Sequence, residues 1–160
     1  MLPQAVTVMT RVPAITKGAL VLDVLKNLKE HGVAVLVDAE RRPIDILTSC
    51  DVEAVKQKIG ERKLAGNSPG SALFTEQGRE VYTVREDDSL EVVAQKLARF
   101  GLGTGIAVVD ASGRYSGYVY NREMRRRASE YSQEVEADVR RVEAEFPEAW
   151  SSLQRRLSSS

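Results

Sequence analysis

The sequence predicts a mixed α/β (α+β) protein made of two copies of one β-α-β-β-α unit, followed by a C-terminal helical extension. Three observations carry this reading. The first is an internal repeat: Ala14-Ile15-Thr16 opens a pattern that Thr83-Val84-Arg85 opens again. The second is that each copy then shows a helical apolar period followed by two short apolar runs around a turn. The third is a matched pair of strand ends, Val35-Leu36-Val37-Asp38 in copy one and Ala107-Val108-Val109-Asp110 in copy two. The offset is 69 at Ile15 and Val84 and 72 at Asp38 and Asp110, so copy two holds three more residues. Two similar units generally bury a shared face, which places any ligand site near the seam between them.

In copy one, Val21, Val24, Leu25 and Leu28 recur at helical spacing between polar residues. Gly32 supplies a C-terminal stop, because glycine tolerates the left-handed conformation found there. Val33 to Val37 is an unbroken apolar run, consistent with a strand covered on both faces. Residues 38–43 read as a hairpin turn into the strand Ile44 to Leu47. A helix then starts near Ser49 or Asp51, carries Val52, Val55 and Ile59, and is expected to close at Gly60.

Copy two repeats the order. Asp88 or Ser89 caps a helix bearing Leu90, Val93, Ala94 and Leu97. The strand Ile106 to Val109, the turn 110–114 and the strand Tyr115 to Tyr120 follow. The domain boundaries expected from this pattern are 1–62 for the first repeat and 80–130 for the second. Residues 63–79, with Ala65-Gly66-Asn67-Ser68-Pro69-Gly70-Ser71 inside them, read as a flexible linker. Residues 131–157 read as an amphipathic helix.

Composition narrows the function. The 160 residues carry 23 Lys and Arg against 23 Asp and Glu, so no net field favours nucleic acid or an anionic membrane. A chain of this size buries roughly 70% of its unfolded surface, enough to fold without staples. One cysteine cannot close an internal disulfide, which suits a reducing cytosol. The opening MLPQAVTVMT lacks the basic and long apolar regions of a secretory leader. No apolar run approaches the ~20 residues of a membrane helix. The expectation is a soluble, cytoplasmic protein.

The duplicated unit resembles the cystathionine-β-synthase (CBS) domain, and the pair resembles a Bateman module. The resemblance runs from Thr7 to Met124. It rests on the ordered repeat and on a segment of glycine, hydrophobic residues, Thr or Ser, two variable residues and Asp. Asp45-Ile46-Leu47-Thr48-Ser49-Cys50-Asp51 matches at Thr48 and Asp51, with Asp45 in place of glycine. Gly117-Tyr118-Val119-Tyr120-Asn121-Arg122-Glu123 keeps the glycine but has Tyr120 and Glu123 at the other two places. Val6-Thr7-Val8-Met9-Thr10 is similar to the family's lead-in segment.

The resemblance implies a regulatory module that binds an adenosyl compound: AMP, ADP, ATP or S-adenosylmethionine. It implies no catalytic cofactor and no enzymatic activity, and a single His and a single Cys rule out the familiar multi-ligand zinc patterns. A carboxylate at position 51 would accept hydrogen bonds from ribose hydroxyls, and such charge-assisted bonds are the stronger kind. The hydroxyl of Thr48 would reach ribose or phosphate, with the adenine beside Val12 and Ala14 in an apolar cleft. Copy one is the better match. The alternative is that Asp51 caps the following helix and Thr48 serves a neighbouring backbone group.

In copy two the matching positions are Tyr82, Tyr120 and Glu123. Tyr120 is bulky where a small hydroxyl is expected, so a closed, degenerate site is the favoured reading there. Basic residues often precede the middle strand in nucleotide-binding members. The matching positions are Gly32 and Val33 in copy one and Thr104 and Gly105 in copy two, and none offers a cation. The backbone of Gly101-Leu102-Gly103-Thr104-Gly105 could cradle an anion, but it lacks the ending of a P-loop and reads as a flexible loop. Arg122, Arg125, Arg126 and Arg127 could supply charge. Together these features lean toward a ligand with few phosphates or none.

His31 and Cys50, each the only residue of its kind, should lie at one end of a hairpin. A Cys–His dyad would need a third orienting group and an oxyanion hole, and neither can be named. They read as a structural histidine and a small packed cysteine. Beyond Glu123, Met124, Ala128, Tyr131, Val135, Val139, Val142 and Phe146 recur at helical spacing, and Pro147 starts a piece with Trp150, Leu153 and Leu157. This stripe is expected to pack on its own module, form a dimer arm or dock a partner protein. The expected partners are a second copy of the chain, an adenine-containing small molecule and an unidentified protein target, with no nucleic acid and no membrane. The rival reading is a dimerisation scaffold with degenerate nucleotide sites that works through the C-terminal helix.

Overall fold

The computed structural model describes residues 3–74, 81–101, 104–127, 130 and 144. The chain divides into two compact units, Met1–Met124 and Arg125–Ser160. The first holds both repeats. The predicted C-terminal helix, with Trp150, lies almost wholly outside the described residues.

In the first repeat, α1 (Val21–His31) ends at Gly32, whose φ of 70° is the left-handed stop the glycine predicts. The Asp23 carboxylate accepts from the Leu20 N–H at 2.9 Å and satisfies one donor at the helix start. The strands β1 (Val33–Val37) and β2 (Pro43–Thr48) form an antiparallel hairpin, and every residue of β1 is buried. A 3-10 turn, Ser49–Asp51, leads into α2 (Val52–Arg62). Gly60 does not close α2. Two further residues continue it, and Lys63 takes the left-handed conformation at φ 50°. The first strand of this copy is reduced to a single parallel bridge between Ile15 and Leu36.

The second repeat has β3 (Thr83–Arg85), α3 (Leu90–Phe100), β4 (Gly105–Val109) and β5 (Tyr115–Tyr120) in a three-stranded sheet of order β3-β4-β5. Strand β3 is parallel to β4, and β4 is antiparallel to β5. Ser89, rather than Asp88, caps α3, its hydroxyl accepting from the Val92 N–H at 3.3 Å. The Asp88 carboxylate instead accepts from the Arg85 N–H. Residues 121–127 are helical.

The two hairpin turns match atom for atom. Asp38 Oδ1 accepts from the N–H groups of Glu40 and Arg42, and Asp110 Oδ1 accepts from those of Ser112 and Arg114. The Arg42 N–H, helped by its guanidinium, holds the Asp38 carboxyl below the usual carboxylate range. Gly113 has φ 81°, and at the matching place Arg41 has φ 64°. An L-residue held there costs about 1–2 kcal/mol. Arg41 is exposed, and its carbonyl, which accepts from the Tyr115 N–H, is backbone that any residue supplies. Arg41→Gly is therefore expected to raise stability by about 0.5–1 kcal/mol after the added freedom of the unfolded chain is deducted. A urea midpoint that shifts upward at constant slope would record it.

The packing exchanges the lead-in segments of the two repeats. Residues 5–8 form one helical turn, and Ala5 and Val8 are buried in the second core with Val84, Val93, Ile106, Val108, Val119 and Met124. Conversely, Gly70–Leu73 form a 3-10 turn, and Leu73 and Phe74 are buried in the first core with Ile15, Val24, Leu28 and Val55. The backbone repeats the exchange. Ala5 N–H donates to Asp88 O at 2.8 Å, and Gly70 N–H donates to Ala19 O at 2.8 Å. The region the sequence marks as linker thus supplies two core residues to the first repeat.

Candidate functional site

A third cluster joins the repeats. Val12, Val33, Val35, Val37 and Ile46 from the first half meet Ala107, Tyr115 and Tyr118 from the second, with Ala14 and Tyr120 beside them. Thr10 pairs with Tyr118, its N–H donating to Tyr118 O at 2.8 Å and its carbonyl accepting at 2.9 Å. The seam is therefore lined by β1 and β2 on one side and by β4 and β5 on the other.

At the end of β2, Thr48 is buried and Asp51 half-buried on the same 3-10 turn. Asp51 Oδ2 accepts from the Thr48 N–H at 2.9 Å and lies 3.4 Å from the Thr48 hydroxyl. That hydroxyl accepts from the Cys50 N–H at 3.2 Å. Three-residue spacing on one turn thus brings the hydroxyl and the carboxylate together, and the carboxylate also caps the turn. The Ser49 N–H donates to Gly32 O, tying this loop to the end of α1.

Val12 is buried, and its carbonyl accepts from the Tyr115 hydroxyl at 2.8 Å. Ala14 is half-buried beside the same cluster. In copy two, the Tyr120 hydroxyl donates to His31 O at 2.6 Å, across the seam. Glu123 is half-buried one turn further on. Tyr82 stacks on Phe100 at 4.2 Å between centroids, with the Arg99 guanidinium over the Phe100 ring.

Tyr115 is a seam residue that the sequence reading passed over. A signal existed, since three tyrosines on one six-residue strand need three partners for their hydroxyls once buried. The third, Tyr118, shares a hydrogen bond of 2.8 Å with Thr104 and meets Tyr120 edge-on at 5.0 Å. Burial pushes the Tyr118 phenol up to about 12, against the lowering effect of Thr104, and burial also raises Tyr115 and Tyr120. All three therefore stay protonated across the physiological range, and Tyr115 and Tyr120 act as donors.

Cys50 is exposed, contrary to the expectation of a packed thiol. The Ser49–Gly32 bond puts it at the same end of the hairpin as His31, whose imidazole lies 3.9 Å from Glu30. Among the described residues no group of three or more His, Cys, Asp or Glu side chains is placed to hold a metal ion. Among them also, no helix is long and apolar enough to cross a membrane.

Residues 78–130 match the family model of the CBS domain. This stretch, most of the second repeat, is thus similar to a CBS domain. Solved structures share the fold over both repeats. The CBSX2 protein in complex with AMP is 20% identical over 81% of this chain and 98% of that one, with a TM-score of 0.62. The CBS domain pair of protein MJ0100, in complex with 5′-methylthioadenosine and S-adenosyl-L-methionine, is 22% identical over 82% of this chain and 99% of its own, at 0.60. A CBS domain protein from Pyrobaculum aerophilum complexed with AMP is 21% identical over 76% and 89%, at 0.56. At these identities the likeness is one of fold. No curated protein sequence matches the chain.

Proposed function

We propose that this CBS-domain protein is a non-catalytic regulatory module that binds an adenosyl compound, with Thr48 and Asp51 as the ribose-binding pair of the first repeat. The reading places the module in the cytoplasm as a homodimer whose arrangement the ligand biases through differential affinity for two states. The observation that carries it is the Thr48–Asp51 turn: a hydroxyl and a carboxylate, held together on one loop at the end of the seam, in a fold whose solved relatives are bound to AMP, 5′-methylthioadenosine and S-adenosyl-L-methionine. Val12 and Ala14 supply the apolar flank for the base. Glu123, one methylene longer and one repeat away, contributes less.

The capping bond from Thr48 N–H to Asp51 makes the choice of variant decisive. Asparagine caps about as well as aspartate, so Asp51→Asn keeps the turn while removing the charge. Titration calorimetry with AMP, ATP and S-adenosylmethionine is expected to show binding of one of them to the wild type. Asp51→Asn should weaken it at least about tenfold through loss of the charge-assisted bonds, with melting unchanged. Asp51→Ala should weaken it as strongly and also lower stability, whereas Glu123→Ala should change affinity less. No binding of any of the three compounds to the wild type would sink the proposal. If Asp51→Asn binds as the wild type does, Asp51 is a cap alone.

A further inference from the structure

The first register pairs of the two hairpins are Val33 with Thr48 and Gly105 with Tyr120, each 72 positions from its counterpart. Tyr120 therefore stands where copy one has Thr48. The two side chains behave differently. The Thr48 hydroxyl stays within its own turn, bonded to Cys50 N–H and close to Asp51. The Tyr120 ring leaves its own loop and crosses the seam. Its hydroxyl donates to the carbonyl of His31, the last residue of α1, at 2.6 Å, and its ring lies edge-on against Tyr118. Gly32, next to His31, holds the Thr48–Asp51 loop through Ser49, so the phenol is tied to the opposite repeat at the base of that repeat's own loop. A phenol ring lies where copy one has only a methyl and a hydroxyl.

We propose that Tyr120 closes the second half of the seam, so that each chain takes one adenosyl ligand, in the first repeat, rather than two. The closure rests on three things: the Tyr120–His31 hydrogen bond, the Tyr118–Tyr120 ring contact and the protonated state of the phenol. It also joins the repeats, because the donor and the acceptor belong to different halves. The stoichiometry rests on the adenosyl reading above, whereas the bond across the seam stands independently of it.

The double variant Tyr120→Thr/Glu123→Asp rebuilds in copy two the Thr-x-x-Asp spacing of copy one. Titration with AMP and S-adenosylmethionine is expected to give one site per chain for the wild type and for Tyr120→Phe, and two for the double variant. Tyr120→Phe keeps the ring and loses only the hydroxyl, and its melting temperature should fall by about 4 °C from loss of one part-buried hydrogen bond. Two sites in the wild type would overturn the closure, as would one site in a folded double variant. No ligand binding by the wild type would defeat the adenosyl reading instead. The link across the seam is then decided by melting: a fall in Tyr120→Phe upholds it, and an unchanged melting temperature overturns it. The same melting result decides the link if the double variant does not fold.

Discussion

Phe74→Ala is expected to destabilise the protein by about 3–5 kcal/mol, the range for truncating a fully buried aromatic side chain. By sequence alone the position lies within a linker, where a substitution would change stability by less than about 0.5 kcal/mol. The structure reverses that expectation because Phe74 is 2% exposed and Leu73 is 0% exposed, both inside the first core beside Ile15, Val24 and Val55. The loss has two parts, the transfer free energy of the ring and the cavity left among side chains fixed by α1, β1 and α2. Little collapse can fill that space, since the segment is held by Gly70 N–H to Ala19 O and Phe74 N–H to Ser71 O. Chemical denaturation at constant slope measures the loss. A change below about 1 kcal/mol would show that the lead-in exchange is not part of the stable fold.

What made the hairpins and helices legible is that their signals are local. The helical period of Val21, Val24 and Leu28, the stop at Gly32 and the five apolar residues of β1 each determine structure within a few residues. The exchange has no such signal. Ala5-Val6-Thr7-Val8 and Gly70-Ser71-Ala72-Leu73 are too short for a period, and what places them is burial against side chains tens of positions away. Gly60 misled for a related reason: a glycine predicts a stop, but Leu64 packs against the first core and the chain continued through Arg62 to reach it. At the candidate site the spacing of Thr48 and Asp51 was legible because both lie on one turn. The partners of the tyrosine hydroxyls were not, since Val12 and His31 stand 103 and 89 positions away from the side chains that reach them.

Gly117→Ala should lower stability by about 2–3 kcal/mol, although alanine is the smallest possible addition. A Cβ at this position would lie 2.7 Å from the Thr10 carbonyl oxygen and 3.0 Å from Met9 Sδ. The methionine can rotate away, but the carbonyl cannot, because Thr10 is fixed by its paired bonds with Tyr118. Moving it breaks or stretches two backbone hydrogen bonds worth about 1 kcal/mol each, in addition to the strain of overpacking. The consequence travels toward the chain start, since residues 5–8 hang on the same segment and carry Ala5 and Val8 into the second core. At the matching place in copy one Asp45 is accommodated, buried, with its own Oδ1 accepting from the Ile46 N–H at 2.8 Å. The glycine is thus required where a neighbouring strand crosses closely, and it is dispensable where the side chain has room. Gly18→Ala, whose added Cβ meets nothing within 4 Å, is the control and should be close to neutral. Amide exchange should place the Gly117→Ala loss at Thr10, Tyr118, Ala5 and Val6, with protection in the Val33–Thr48 hairpin retained. Equal stability of the two alanine variants would mean that the Thr10 segment does not hold the close approach to β5.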